Sequence, residues 1–378
     1  MFSLKSDRRC PWELATVTCF LFMVASSISA AEPEHPAQYQ FGTIEIPAAT
    51  GDEPIAPFSL ANAVRYVDQG ALAWSGKHKC VSCHTNGTYL QMRPALTPLL
   101  GKPQEKIRDF FVEQLAEMRA KSLADLKGGI GPTQVAYVAA GLAEWDAHVT
   151  KQLSAETRNA LDLMLQVQSK NGAWGNTKCW PPFESSDYQA ATVAAMAIAT
   201  APGYSRSLSA VQQEQLQSLL TYFKKTPPPH DYARLLLLWV STRLPGVMTG
   251  AERMKAVEMV FKHQQPDGGW SIRTFATPET WGSGGRAAKL RAEPEFKDPP
   301  SDGHQTGLVL LVLRDAGISA QDARLQKAVG WLLSNQRQSG RWWTRSLNTD
   351  TYHFITYSGT VYPLLALHKC NALPTKKD

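Results

Sequence analysis

Cys80-Val-Ser-Cys83-His84 places two thiols three residues apart and an imidazole directly after the second. With that spacing the two sulfurs can add to the two vinyl groups of a haem while the adjacent histidine reaches the iron, so the motif reads as a c-type haem attachment site. Cys80, Cys83 and His84 are therefore expected to bind haem c, with His84 on the iron. A local disulfide, a redox pair and half of a zinc site are the competing readings. Zinc wants a second Cys/His pair, and none with suitable spacing follows nearby. A redox Cys-x-x-Cys expects a strand and helix around it, whereas these surroundings read as helical loops. Met92 and His78 are the nearby candidates for a sixth ligand, each through a tight local ring. Residues 85 to 100 read as a helix rather than as part of a usual cytochrome c domain.

A second set of reactive residues lies at the starts of apolar segments: Asp187 with Tyr188, His230 with Asp231, Asp302 with His304, and Tyr352 with His353. A carboxylate in that position caps a helix and interacts well with its dipole, the expected role for Asp187, Asp231 and Asp302. Asp302 is also the strongest candidate acid, because His304 beside it is placed to share a proton. Asp302, His304, Asp187 and Asp231 are thus the candidate catalytic groups. Trp180, Tyr188, Tyr232, Trp281, Tyr352 and Tyr357 could line a cavity with their ring faces, or simply fill a core. The long segment 271 to 301, with Trp281-Gly-Ser-Gly-Gly285, reads as a lid or an insertion.

The elements that position these groups are announced by a repeat. Gln168-x3-Gly172-x-Trp174, Gln264-x3-Gly268-x-Trp270 and Gln336-x3-Gly340-x-Trp342 each end a helical pattern, and an internal repeat implies a repeated architecture. Two kinds of helix alternate along the chain. Amphipathic ones follow capping residues at Ser154, Ser209, Thr249 and Ser319. Nearly apolar ones run through Ala190–Ala199, Leu235–Val240, Leu308–Leu313 and Val361–Leu367, and a helix that is apolar all round is buried. Pairing predicts outer helices near 60, 104, 154, 209, 250 and 320, with inner ones near 88, 133, 188, 231, 303 and 358. The predicted fold is all-α, an (α/α)6 toroid over 58–370, with an open solenoid as the alternative. In a toroid the N-terminal ends of the inner helices share one mouth, which gathers the reactive residues named above.

The Gln-x3-Gly-x-Trp copies and Tyr357-Ser-Gly-Thr-Val-Tyr-Pro-Leu-Leu-Ala-Leu367 resemble the squalene cyclase and protein prenyltransferase superfamily. Helical alternation carries the resemblance from about Phe58 to Cys370, and the specific motifs begin at Gln168. The resemblance implies a terpenoid-cyclase-like toroid in which the Gln and Trp tie each outer helix to its neighbour. It also implies a hydrophobic, isoprenoid-type ligand. The Asp-x-Asp-Asp acid of the cyclases is missing from this sequence, and the zinc-binding set of the prenyltransferases matches only loosely at Asp302, His304 and His353.

Lys5, Arg8 and Arg9, then an apolar run to Ile28, then Ser29-Ala30-Ala31 have the layout of a secretory signal peptide. Residues 1–31 are expected to be cleaved, 32–57 to form an extended lead-in, and 371–378 a tail. Cleavage leaves 36 Lys/Arg against 31 Asp/Glu, a scattered net of +5, with no basic block to track phosphates, so nucleic acid is not an expected partner. No stable membrane span is expected after cleavage. The chain should be exported, periplasmic or extracellular, where disulfides are permitted among Cys80, Cys83, Cys179 and Cys370. A 179–370 bridge would have to cross the length of the barrel, which disulfide geometry forbids. The expected function is a haem-bearing toroid that binds a hydrophobic ligand for a redox or electron-transfer step, with a periplasmic redox partner. A terpenoid cyclase without the Asp-x-Asp-Asp acid and a non-catalytic lipid- or glycan-binding scaffold are the alternatives.

Overall fold

A computed structural model describes residues 37–175, 180–183 and 186–374. Among them are twelve helices of seven residues or more. In chain order they are α1 (Leu60–His78), α2 (Asn86–Met92), α3 (Glu105–Arg119), α4 (Gly131–Trp145), α5 (Ala155–Gln166) and α6 (Asp187–Thr200), followed by α7 (Ala210–Lys225), α8 (Asp231–Ser241), α9 (Gly250–Lys262), α10 (Gly303–Asp315), α11 (Ala323–Ser334) and α12 (Ile355–Lys369). Helix α2 packs on α4, α4 on α6, α6 on α8, α8 on α10, α10 on α12, and α12 returns to α2. The even-numbered helices therefore close a ring, which a solenoid would not do.

Composition decides which helix goes where. In α10 every residue from Gly303 to Leu313 is buried, and in α12 every residue from Ile355 to Leu367. By contrast α7 buries only Leu219, Tyr222 and Phe223 and turns its glutamines outward. Burying an apolar side chain contributes roughly 1.5–3 kcal/mol, so the all-apolar helices take the interior and the amphipathic ones cover them. Two glycines let α10 and α12 approach closely. A Cβ on Gly307 would sit 2.4 Å from Pro363 Cδ, and one on Gly303 would sit 2.5 Å from Gly359 O.

The three Gln-x3-Gly-x-Trp motifs make one lock in triplicate. Each Trp donates its indole N–H to an outer-helix carbonyl ten residues back: Trp174 to Met164, Trp270 to Val260, Trp342 to Leu332. Each Gln amide donates to its own Gly carbonyl and to the next outer helix, at Gln215, Arg324 and Ser59 respectively. The third lock joins the last outer helix to the first, and Ser59 N–H donates back to Gln336 Oε1 at 2.5 Å. Glycine is required because its φ is near +90° in all three, and a Cβ would strike the neighbouring helix backbone, 2.3 Å from Ser218 O at Gly172.

Several expectations need correction. Pro94 and Pro98 break the first inner helix, so the expected 85–100 helix is α2 followed by a 3-10 turn (Arg93–Leu96) and a single turn (Thr97–Leu100). Ser154, Ser209 and Thr249 cap α5, α7 and α9, but the cap of α11 is Asp322, which accepts from Arg324 N–H, and not Ser319. The lead-in contains an antiparallel hairpin, β1 (Ala37–Phe41) with β2 (Ile44–Pro47). It is fastened to the last repeat by Arg341, which donates to Pro47 O and pairs with Glu53 at 3.2 Å. The expected signal peptide and Cys179 lie outside the described residues, so a 179–370 pairing does too. No helix among the described residues is long and apolar enough to cross a membrane.

Candidate functional site

The loop from α1 to α2 carries the Cys-x-x-Cys-His motif, and a buried asparagine shapes it. Asn86 is 0 % exposed. Its Oδ1 accepts from Ser82 N–H (2.8 Å), and its Nδ2 donates to Ser75 Oγ (3.0 Å) and Cys80 O (3.1 Å). Trp74 Nε1 reaches the same Cys80 carbonyl at 3.3 Å. The loop is thereby folded tightly against α1.

His84 sits in an aromatic cage. Its ring stacks on Phe354 (4.8 Å between centroids, 22°) and meets the edge of Trp74 at 4.6 Å. His84 Nδ1 lies 2.8 Å from Thr85 Oγ1, which lies 2.9 Å from Tyr39 Oη of β1. Burial, with His78 adding to it, holds the imidazole below its usual pKa and so neutral at pH 7. His78 itself packs on Trp74 at 4.0 Å, and Met92 belongs to the wall of the central cavity. Cys80, Cys83 and Cys370 are thiols. Cys83 is 4 % exposed and close enough to Tyr232 and Tyr362 for its charge to be felt by both phenols. Two thiols and a neutral imidazole whose Nδ1 is already engaged, leaving Nε2 to ligate, form the donor set that covalent haem attachment uses.

Across the mouth, Tyr232, His304 and Ser358 form a directed chain. Ser358 Oγ donates to Ile355 O (2.8 Å), so His304 Nδ1–H must donate to Ser358 Oγ (2.7 Å). His304 Nε2 is then the acceptor for Tyr232 O–H at 3.1 Å. Burial takes the His304 pKa down to about 3 and raises that of Tyr232, keeping both neutral. Trp281 of the long 271–301 segment, itself 3 % exposed, lies over His230 at 4.8 Å and edge-on to Tyr232 at 5.4 Å.

The carboxylates do not take the roles in which they share a proton. Asp302 caps α10, with Oδ1 accepting from Gln305 N–H (2.8 Å) and Thr344 Oγ1 (3.3 Å), and Oδ2 accepting from Ile272 N–H (2.7 Å). Burial raises its pKa to about 6, against the opposing effect of those hydrogen bonds. It does not bond His304, because as the extended N-cap it turns its carboxylate onto the backbone N–H groups of Gln305 and Ile272. Asp187 and Asp231 occupy first helical positions, and their neighbours Ser186 and His230 are the caps. Asp231 pairs with Arg234 and with His263 Nε2 (2.9 Å). His353 Nδ1 accepts from Ser346 N–H, and no group of three His, Cys, Asp or Glu among the described residues is arranged to hold a metal ion. Asp302, His304 and His353 therefore form no such site.

A cavity runs down the ring axis. Its walls come from α2, α4, α6, α8 and α12, with the rings of Tyr137, Phe183, Tyr232, Trp239 and Tyr362 among them. Of the six aromatics singled out in the sequence only Tyr232 lines it. Tyr188 packs on Tyr222 and Phe223, Tyr357 donates to Val67 O, Tyr352 stacks on Phe354, and Trp180 is exposed. Tyr137, Gln189 and Glu144 also line it, and no motif marked them. The far end is closed by an ion network on the C-terminal ends of the inner helices. Arg243 bonds Glu144 (2.5 Å) and Thr200 (2.6 Å), His148 bonds Glu144 (3.1 Å), and Asp315 takes Trp239 Nε1 (2.9 Å) and Lys369. Burial pushes the Glu144 carboxyl up, but Arg243 and His148 outweigh it and hold the pKa below the usual value.

No protein-family model and no curated protein matches the sequence. Among solved structures the chain is similar to a type II terpene cyclase from Scytonema, determined with its substrate geranylgeranyl dihydroxybenzoate. Identity is 14 % over 83 % of this chain and 98 % of that one, with a TM-score of 0.46. The toroid assignment rests on the helix contacts of this chain itself.

Proposed function

We propose that this chain is an exported toroid that carries a covalent c-type haem on Cys80 and Cys83, with His84 as the iron ligand. In this reading it also binds a hydrophobic, isoprenoid-type molecule in its central cavity, for an electron-transfer step with a periplasmic redox partner. The observation that supports the reading is that Cys83 is buried within electrostatic reach of Tyr232 and Tyr362, which line the cavity. When bound, the haem supplies reversible one-electron exchange.

The chain's own residues have definite tasks. Asn86, Ser75 and Trp74 hold the loop so that both cysteines stay at the mouth. Thr85 engages His84 Nδ1, which orients the ring and leaves Nε2 as the ligating nitrogen. Phe354 and Trp74 exclude water from the imidazole. The aromatic and apolar walls of the cavity suit a hydrophobic guest. A cyclase reading that relies on Asp302 as its acid is disfavoured, because both oxygens of Asp302 are engaged by the scaffold.

Export into a bacterial periplasm equipped for haem attachment tests this directly. Intact mass should increase by one haem after loss of residues 1–31, with a Soret band that disappears in the Cys80→Ser/Cys83→Ser double variant. Full-length exported protein with neither mass increase nor Soret band would overturn it.

A further inference from the structure

We infer that the central cavity contains a subsite for a hydroxyl group, so that its ligand is a neutral apolar molecule bearing an alcohol. This rests on the hydrophobic-ligand reading above and narrows it.

The first observation is an unpartnered buried amide on the cavity wall. Gln189 is 5 % exposed, and its Nε2 donates to Tyr137 Oη at 2.9 Å. Its Oε1 is buried with no hydrogen-bond partner among the described residues. Exchanging the two ends of the amide moves the vacancy to a donor but does not fill it. On α2, across the same cavity, Gln91 Nε2 is likewise buried and unpartnered. Leaving a polar atom buried and unbonded costs about 1–3 kcal/mol, so each is a standing demand for a guest atom.

The second observation fixes the guest's charge. The ionised carboxylate on the cavity wall, Glu144, is already paired with Arg243 through Oε1. Tyr232 and His304 are neutral, and the proton of Tyr232 is committed to His304. A charged ligand would lose its hydration and gain no counter-ion.

A hydroxyl both donates and accepts, so it satisfies Gln189 in either orientation of its amide and can also accept from Gln91. A hydrocarbon satisfies neither. An ether accepts only. Elsewhere on the wall Val193, Leu236 and Val240 offer apolar contact, while Met92 and Met196 have flexible side chains that can adapt to a guest. The space open to the centre of a water molecule is about 40 Å³, so entry of a guest requires such adaptation.

The test uses the full exported protein with three probes of equal chain length: farnesol, its methyl ether and farnesene. Binding is read by tryptophan fluorescence, since Trp239 lines the cavity. Farnesol is expected to bind at least tenfold more tightly than farnesene, with the ether weaker than the alcohol. Gln189→Met should bring farnesol to the affinity of farnesene without weakening farnesene. Gln91→Met serves the same purpose if the first variant misfolds. Equal affinities of alcohol and hydrocarbon in the wild type overturn the subsite and leave the hydrophobic-ligand reading intact. Binding of none of the three overturns both.

Discussion

The loops that follow α5, α9 and α11 and the loop that follows α1 solve the same problem in opposite ways. In the first group a loop tryptophan reaches back and donates to a carbonyl of the outer helix it has just left. In the other the tryptophan sits on the helix, and Trp74 donates forward to a loop carbonyl, that of Cys80. Both pin the loop with one buried indole N–H. The difference lies in what the loop residues are left to do. In the Gln-x3-Gly-x-Trp loops the Gln, Gly and Trp are all consumed by the scaffold. In the Cys-x-x-Cys-His loop the backbone is held by Trp74 and Asn86, with Ser75 behind Asn86.

The largest expected effect breaks the first kind of loop. Trp342→Ala removes a fully buried indole from the lock that closes the ring and should destabilise the protein by about 3–5 kcal/mol, read from denaturant unfolding. A loss below about 1 kcal/mol would mean that the ring does not depend on that lock. Asn86→Leu breaks the second kind. It strips the hydrogen bonds to Ser75, Cys80 and Ser82 and should cost about 3 kcal/mol, together with most of the haem mass increase in exported protein.

A pH measurement sharpens the contrast at the mouth. Asp302 has a folded pKa raised to about 6 from 3.8. A raised acid contributes stability that is present below the unfolded pKa and is lost as pH rises through the folded one. The stability difference between wild type and Asp302→Asn should therefore shrink by about 2 kcal/mol between pH 4 and pH 6.5, at about 1.36 kcal/mol per unit. A flat difference would remove the buried-cap assignment. The smallest change, Trp74→Phe, keeps the ring and deletes only its N–H, and should cost about 1 kcal/mol. An equal loss from Trp74→Ala would show that the ring does not pack and that the indole N–H alone matters.

The helix order was legible because burial and periodicity are written in the same letters. The all-apolar run Leu308–Leu313 can only be interior, and Thr249 before Glu252 can only begin an exposed helix. Pro94 and Pro98 were equally readable as breaks in the expected 85–100 helix, since proline lacks the N–H that a helix interior needs. Asp302 and His304 misled for a geometric reason: nearness in sequence suggested a shared proton, yet Asp302, as the extended N-cap, turns its carboxylate onto backbone N–H groups. Asn86 and Gln189 carried no local signal at all. Each matters through partners that the fold brings from other elements, such as Ser75 for the one and Tyr137 for the other.

By itself the sequence determined the alternation of helices, the three Gln-x3-Gly-x-Trp motifs and the presence of two thiols and a histidine in one short loop. Those features depend on residues within a turn or two of each other, where helix geometry is the same in any fold. Only the tertiary structure decided that Cys83 is buried within electrostatic reach of Tyr232 and Tyr362, that Tyr232 gives its proton to His304, and that Gln189 is left with an unmet hydrogen bond. Each of these is a meeting between separate inner helices, and ring closure, not local propensity, sets which side chains meet.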